Sequence, residues 1–374
     1  MHRSMELLTI LLLMMSPCIA QNVEAQELET LAGTGIRGFA GDGRLATAAQ
    51  VNQPFGVELG PDGCVYFCDT GNHVIRKVDR STGIITTVAG TGGVSGYTGD
   101  GGLATDAQLF EPYEIRFDKA GNLFFVEMRN HIVRRVDATT SLISTVAGSG
   151  QKGFGGDGGP AIKAELNRPH SIALDAAGDL FICDIGNHRI RRVDMQSGVI
   201  STWCGTGRPN GPENGAAIST ETSLKGPRAL AVDSEDNLWL ALREGNRVVK
   251  FDRRQGVIHH IAGTGAKGFT GNGGPALLAR LSGPKGIVID DSRKLVYLAD
   301  TESHTLRAID LDTDPPTLRL IAGTGQPGDG ADGDPLKCKM ARLHGVGLDP
   351  STGEVFIGDS EAHKVRVLKP RMLH

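Results

Sequence analysis

Five histidines recur at one spacing with the same ionisable partners. His73, His131, His188, His304 and His363 each follow a carboxylate by four residues: Asp69, Glu127, Asp184, Asp300 and Asp359. Each precedes an arginine by three: Arg76, Arg134, Arg191, Arg307 and Arg366. Acid, imidazole and guanidinium at fixed intervals permit two chemistries. One is metal ligation by imidazole and carboxylate; the other is a charge-assisted bonding cluster. In a further copy of the pattern the three positions hold Leu242, Asn246 and Val249. Loss of all three together implies that they interact. The spacing therefore predicts a structural carboxylate–His–Arg cluster in five units, as in Asp69, His73 and Arg76, in Asp184, His188 and Arg191, and in Asp300, His304 and Arg307.

Glycine-rich stretches offer other chemistry. Gly33-Thr34-Gly35-Ile36-Arg37-Gly38 has the G-x-G-x-x-G form, and similar stretches begin at Gly148, Gly263 and Gly323. A dinucleotide site needs a helix opening directly on such a loop. Here more glycines follow, which argues against that site. Gly99-Asp100-Gly101-Gly102, Gly156-Asp157-Gly158-Gly159 and Gly271-Asn272-Gly273-Gly274 each carry one oxygen-bearing side chain. Calcium wants several converging oxygens, so turn chemistry is the better reading of these loops. Asp329, Asp332 and Asp334 form a denser carboxylate group, the one place where calcium is considered.

The elements that must hold these residues repeat. A Gly-Thr/Ser-Gly triplet starts at Gly33, Gly90, Gly148, Gly205, Gly263 and Gly323, at spacings of 57, 58, 57, 58 and 60 residues. Such a period marks a repeat architecture. Each unit holds four short β-type runs, such as Cys64–Cys68 and Val74–Val78, separated by turn residues. Four-stranded units in this number define an all-β, six-bladed propeller with antiparallel blades. The sixth unit ends after its third run, and Leu28–Ala32 near the N-terminus supplies the missing fourth. That strand is expected to close the ring and remove an open edge.

The runs Asp69-Thr70-Gly71-Asn72-His73-Val74-Ile75-Arg76 and Asp184-Ile185-Gly186-Asn187-His188-Arg189-Ile190-Arg191 resemble NHL repeats. The resemblance covers residues 28–369 and implies the six-bladed fold. It leaves function open, because folds of this kind host many activities.

In an antiparallel blade, the start of the innermost strand and the end of the second share the loop-rich face. Comparison of units there shows unlike groups at equivalent positions. After the aligned proline, or Leu343 in its place, stand Phe55, Tyr113, His170, Arg228, Lys285 and His344, with Glu114 following Tyr113. The neighbouring loop carries Arg129, Arg243, Glu302 and Glu361. Converging polar groups at a concave mouth mark a ligand site. The expected ligand-binding set is Tyr113, Glu114, Arg129, His170, Arg228, Arg243, Lys285, Glu302, His344 and Glu361. The partner would be a small molecule, peptide or protein.

The resemblance also implies an alternative, since similar propellers include lyases and lactonases. The lyase pattern has three histidines on zinc, with tyrosine and arginine near the substrate. His170 and His344 fit two ligand positions, Glu114 would be the third, and Tyr113 and Arg228 would be catalytic candidates. Zinc accepts two His and a carboxylate.

Composition narrows the setting. Of 374 residues, 52 are Gly and the formal net charge is −4, a balance that disfavours a nucleic-acid partner. Residues 1–20 read as a signal peptide, with an apolar run from Leu7 to Met15 and cleavage after Ala20 or Ala25. Residues 21–27 would link it to the propeller, and 370–374 form a tail. Export as a monomer without a membrane span is the expectation. After removal of Cys18 five cysteines remain, an odd number that fits buried thiols better than a disulfide framework.

Overall fold

The computed structural model describes residues 26–370. The proposed signal segment, most of the linker and the last four residues lie outside them. Twenty-four strands form six four-stranded antiparallel sheets. Blade one comprises Pro54–Leu59, Val65–Asp69, Val74–Val78 and Ile85–Ala89, from axis to rim. Blades two to five follow the same plan, with innermost strands Pro112–Phe117, Ile172–Leu174, Pro227–Val232 and Gly286–Asp290. Blade six has Leu343–Leu348, Val355–Asp359 and Lys364–Pro370, and Gln26–Ala32 completes it. Leu28 pairs with Leu368 and Glu29 with Val367, so the chain's two ends close the ring.

The core lies between neighbouring sheets. Ala229, Trp239 and Ala241 of blade four pack with Ile287, Val296 and Leu298 of blade five. β-branched and aromatic residues suit such strands because both faces are covered. The crossovers carry one-turn helices, including Ala46–Ala48 and Ala161–Lys163. Ala161, Ala164 and Leu166 turn inward and are buried.

The period of the Gly triplet has a steric cause. Gly33 has φ +94°, and a Cβ there would stand 2.3 Å from the His363 carbonyl oxygen. Gly148 meets the His131 carbonyl in the same way. The stretch is a blade contact and opens no long helix onto a phosphate. The five cysteines of the described residues are free and buried. No helix among these residues is long and apolar enough to cross a membrane.

The repeated cluster differs from the expected one. Its carboxylate and arginine do pair: Asp184 lies 3.3 Å from Arg191, and Asp300 3.1 Å from Arg307. Asp69 and Arg76 are more loosely paired at 3.5 Å. The arginine also reaches the glycine-rich crossover. Asp42 bonds Arg76, Asp157 bonds Arg191, and Asn272 accepts from Arg307. The crossover aspartates thus serve as second partners of a buried guanidinium besides shaping turns. A bulge in the outer strand sits opposite each of these arginines, as between Ile190 and Arg191.

The histidine belongs elsewhere. His73 Nδ1 accepts the backbone N–H of Glu111 at 3.3 Å, and His304 Nδ1 that of Arg342 at 3.1 Å, both in the next blade. His188 Nδ1 is buried without a hydrogen-bond partner. The imidazole ties blades together because its αL backbone, with φ from 50° to 59° in these residues, aims it across the junction. In blade four, Asn246 Oδ1 replaces it and accepts from Gly283 N at 3.0 Å.

Candidate functional site

The blade-to-blade bond positions the hub. Its donors are Gln53, Glu111, Arg168, Gly283 and Arg342, just before the innermost strands; the equivalent Gly226 makes no such bond to His188 Nδ1. Gln53, Glu111, Arg168, Gly226, Gly283 and Arg342 all have φ between 51° and 64°. For four non-glycine residues this is a strained state, held by its surroundings and costing about 1–3 kcal/mol each. The chain then turns through a proline, or Leu343, into the strand, and the residue two positions on lines the axial cavity. Phe55, Tyr113, His170, Arg228, Lys285 and His344 line one cavity of about 290 Å³.

One arc of this ring is aromatic. Phe55 stacks on His344 with centroids 3.9 Å apart, and Tyr113 stands edge-on to Phe55 and His170. The other arc is cationic. Arg228 is 2% exposed. Its guanidinium lies 4.4 Å from the Tyr113 ring centroid and donates to the Tyr113 hydroxyl. No carboxylate of the described residues forms an ion pair with it. Lys285 Nζ lies 3.0 Å from Glu302 Oε1 and 3.4 Å from His344 Nε2. Arg342 also binds Glu302 at 2.8 Å and reaches Glu361 at 3.0 Å. Arg168 and Arg243 complete the wall.

Burial sets the protonation of this ring. It lowers Arg228, and it holds His170 and His344 well below the usual imidazole range, with neighbouring cations adding to the effect. Burial, then the Arg228 charge, pushes Lys285 down to about 7. Partial burial would raise Glu302, but Lys285 and Arg342 hold it at about 2. The mouth therefore combines neutral imidazoles, a poised amine and a guanidinium with no counter-ion.

Most of the expected ligand-binding residues meet here. Tyr113, His170, Arg228, Arg243, Lys285, His344 and Glu361 line the cavity, and Glu302 reaches it through Lys285. Two do not. Arg129 is exposed, outside the cavity lining, and bonded to the wall residue Glu111 at 3.1 Å. Glu114 is buried and paired with Arg116 at 2.8 Å. Arg116 also approaches Glu58 at 3.3 Å and donates to the Leu230 carbonyl two blades away. Burial raises Glu58 to about 7, against the pull of Arg116. Sequence reasoning missed Glu111, Arg168 and Arg342 on the wall, and Glu58 and Arg116. The first three had a usable signal, because the position before the aligned proline, or before Leu343, also varies between units, holding Gln53, Glu111, Arg168, Gly226, Gly283 and Arg342.

The structure does not assemble the expected metal set. Glu114, the expected third ligand, is occupied by Arg116, while His170 and His344 donate Nδ1–H to the carbonyls of Arg168 and Arg342 and keep the Nε2 lone pair. The described residues hold no group of three His, Cys, Asp or Glu able to bind a metal ion. Arg228 and Lys285 would moreover repel a dication at this mouth. At the calcium candidate, Asp329 binds Lys364 and Arg366, Asp332 binds Arg366, and Asp334 binds Lys337. These carboxylates already have cations.

The ring and its axial cavity define a β-propeller with a ligand-type mouth. Residues 150–267 match the Teneurin NHL domain. NHL repeat-containing protein 2 of Gallus gallus is 24% identical over 339 residues, covering 87% of this chain and 40% of that protein. The chain spans between about a quarter and two fifths of the length of the first curated relatives it matches. Among solved structures, an auxiliary nutrient binding protein from Bacteroides thetaiotaomicron superposes with a TM-score of 0.65 at 14% identity, covering 92% of this chain and 76% of that one. A gluconolactonase from Xanthomonas campestris superposes with a TM-score of 0.57 at 13% identity, covering 92% and 89%. The chain is a six-bladed β-propeller whose repeats are similar to those of NHL-repeat proteins.

Proposed function

We propose that this protein is an exported binding module that takes a small organic anion at the loop-rich mouth of its channel. Arg228 carries the reading. A buried guanidinium without a carboxylate partner is costly, and a ligand carboxylate or phosphate would supply the missing charge through paired N–H donors. Tyr113 already holds the guanidinium in place, so little order is lost on binding. The aromatic arc of Phe55, Tyr113 and His344 offers surface to the apolar part of the same ligand. A cavity of about 290 Å³ suits a small molecule better than a polymer. Export rests on the apolar N-terminal pattern.

Calorimetric titration of the wild type with propionate, benzoate and inorganic phosphate tests this. One anion site per chain is expected, lost in Arg228→Met. Absence of binding by all three anions, or equal binding by wild type and variant, would overturn the reading.

A further inference from the structure

We propose that Lys285 is a nucleophilic amine that forms an imine with the carbonyl carbon of a small aldehyde or ketone carrying a carboxylate. The inference rests on the anion-binding reading and deepens it, since Arg228 at the adjacent hub position would hold the carboxylate.

The geometry is that of an activated amine. Lys285 is 5% exposed, yet it lines the cavity. The other hub positions carry Phe55, Tyr113, His170, Arg228 and His344, so the amine stands at one defined point of the ring. Its acidic neighbour Glu302 is shared with Arg342, which leaves the ammonium under-compensated. His344 donates Nδ1–H to the Arg342 carbonyl at 2.9 Å. That tautomer turns the Nε2 lone pair toward Lys285 Nζ. Burial and the Arg228 charge bring the amine to about 7. Relative to an exposed lysine near 10.4, its neutral fraction at pH 7 is about a thousandfold greater.

The step balances without an added reagent. The Nζ lone pair attacks the carbonyl carbon, and the carbonyl π pair moves to oxygen, which takes the first Nζ proton by way of His344 Nε2. Nζ then passes its second proton to His344 Nε2. His344 returns it to the carbinolamine hydroxyl, which leaves as water as the C=N bond forms. Both amine protons end in that water.

Pyruvate with cyanoborohydride tests the proposal on the full mature chain. One reduced adduct per chain is expected, mapped to Lys285 by peptide mass analysis and suppressed by excess propionate. Its rate should rise with pH through about 7 and then level, unlike that of exposed lysines. Lys285→Met should lose the adduct, and His344→Gln should slow trapping by about a hundredfold, the lower end of the usual range for a general base. Propionate binding without a Lys285 adduct would overturn the imine and leave the anion site standing. Failure of both propionate and pyruvate to bind would overturn both.

Discussion

Two sets of arginines in this protein are equally hidden and differently served. In five blades the guanidinium of Arg76, Arg134, Arg191, Arg307 or Arg366 is fully buried and held by a strand carboxylate. In four of these a crossover carboxylate is added, and in the fifth Asn272 takes that place. Arg228 at the hub is nearly as buried and has the Tyr113 hydroxyl and ring. The first set behaves as a rivet: its charges are matched inside the fold. The second is unmatched, and the fold pays for it elsewhere, a pattern expected of a functional site. Blade four sharpens the contrast. It has abandoned the rivet for Leu242 and Val249, both buried, and supplies the unmatched arginine at its hub end.

Removing the closing strand gives the largest expected effect. Gln26–Ala32 buries Leu28 and Ala32, and Thr30 donates to Asp332, itself a partner of Arg366. Deleting residues 26–33 would open blade six, expose an unpaired edge along Lys364–Pro370 and leave one rivet without its outer wall. Loss of the cooperative thermal transition is expected. An unchanged melting curve would show that the ring does not depend on this strand.

Next is the rivet itself. Asp184→Ala takes away the buried partner of Arg191 and leaves it only the more exposed Asp157, so the cost should approach that of a broken buried pair, about 3–5 kcal/mol. Arg191→Met leaves the buried Asp184 without its cation and should cost a similar amount. In a double-mutant cycle by denaturant unfolding, the two should couple strongly. Zero coupling would mean that the blades tolerate unmatched charge generally, and the distinction from Arg228 would collapse.

The opposite result is expected at the hub. Arg228→Met should leave stability unchanged or raised, since replacing buried charge with apolar volume is often neutral or favourable. Anion affinity should fall by about 2–3 kcal/mol, the size of a lost charge-assisted contact. Titration calorimetry and thermal unfolding on the same samples separate the two effects. A variant that loses stability and keeps its anion would make Arg228 another structural residue.

What could be read before the structure follows the same division. The strands, six-fold period and closing strand were legible because turn glycines and β-branched runs act locally. The hub was legible in part, because aligned prolines mark the start of each innermost strand and unlike residues follow them. The histidines were misassigned because His73 acts on Glu111, a residue of the next blade that no spacing within one unit reveals. The partnership of Asp42 with Arg76 was hidden in a loop that turn chemistry already explained. Arg116 escaped because its role depends on reaching the Leu230 carbonyl two blades away, a contact that no spacing within one unit reveals.

The smallest effect concerns pH and the remaining hub cation. Lys285 has its folded-state value lowered to about 7, whereas the unfolded chain holds its proton to near 10.4. Between those values the unfolded state binds more protons, so this group adds stability as pH rises. Below about 7 both states are protonated and its cost is constant. The gain from pH 7 to 8 is about 1 kcal/mol. Lys285→Met removes the charge and the linkage together. Its stability advantage over the wild type should therefore be greatest below pH 7 and shrink as pH rises, when urea unfolding is compared at each pH without added anion. The double variant Asp184→Ala/Arg191→Met removes both charges of a rivet and leaves no buried carboxylate to titrate in this range, so it should show no such trend. Parallel pH curves for wild type and Lys285→Met would place the lysine with the matched charges of the blades and remove it from the ligand site.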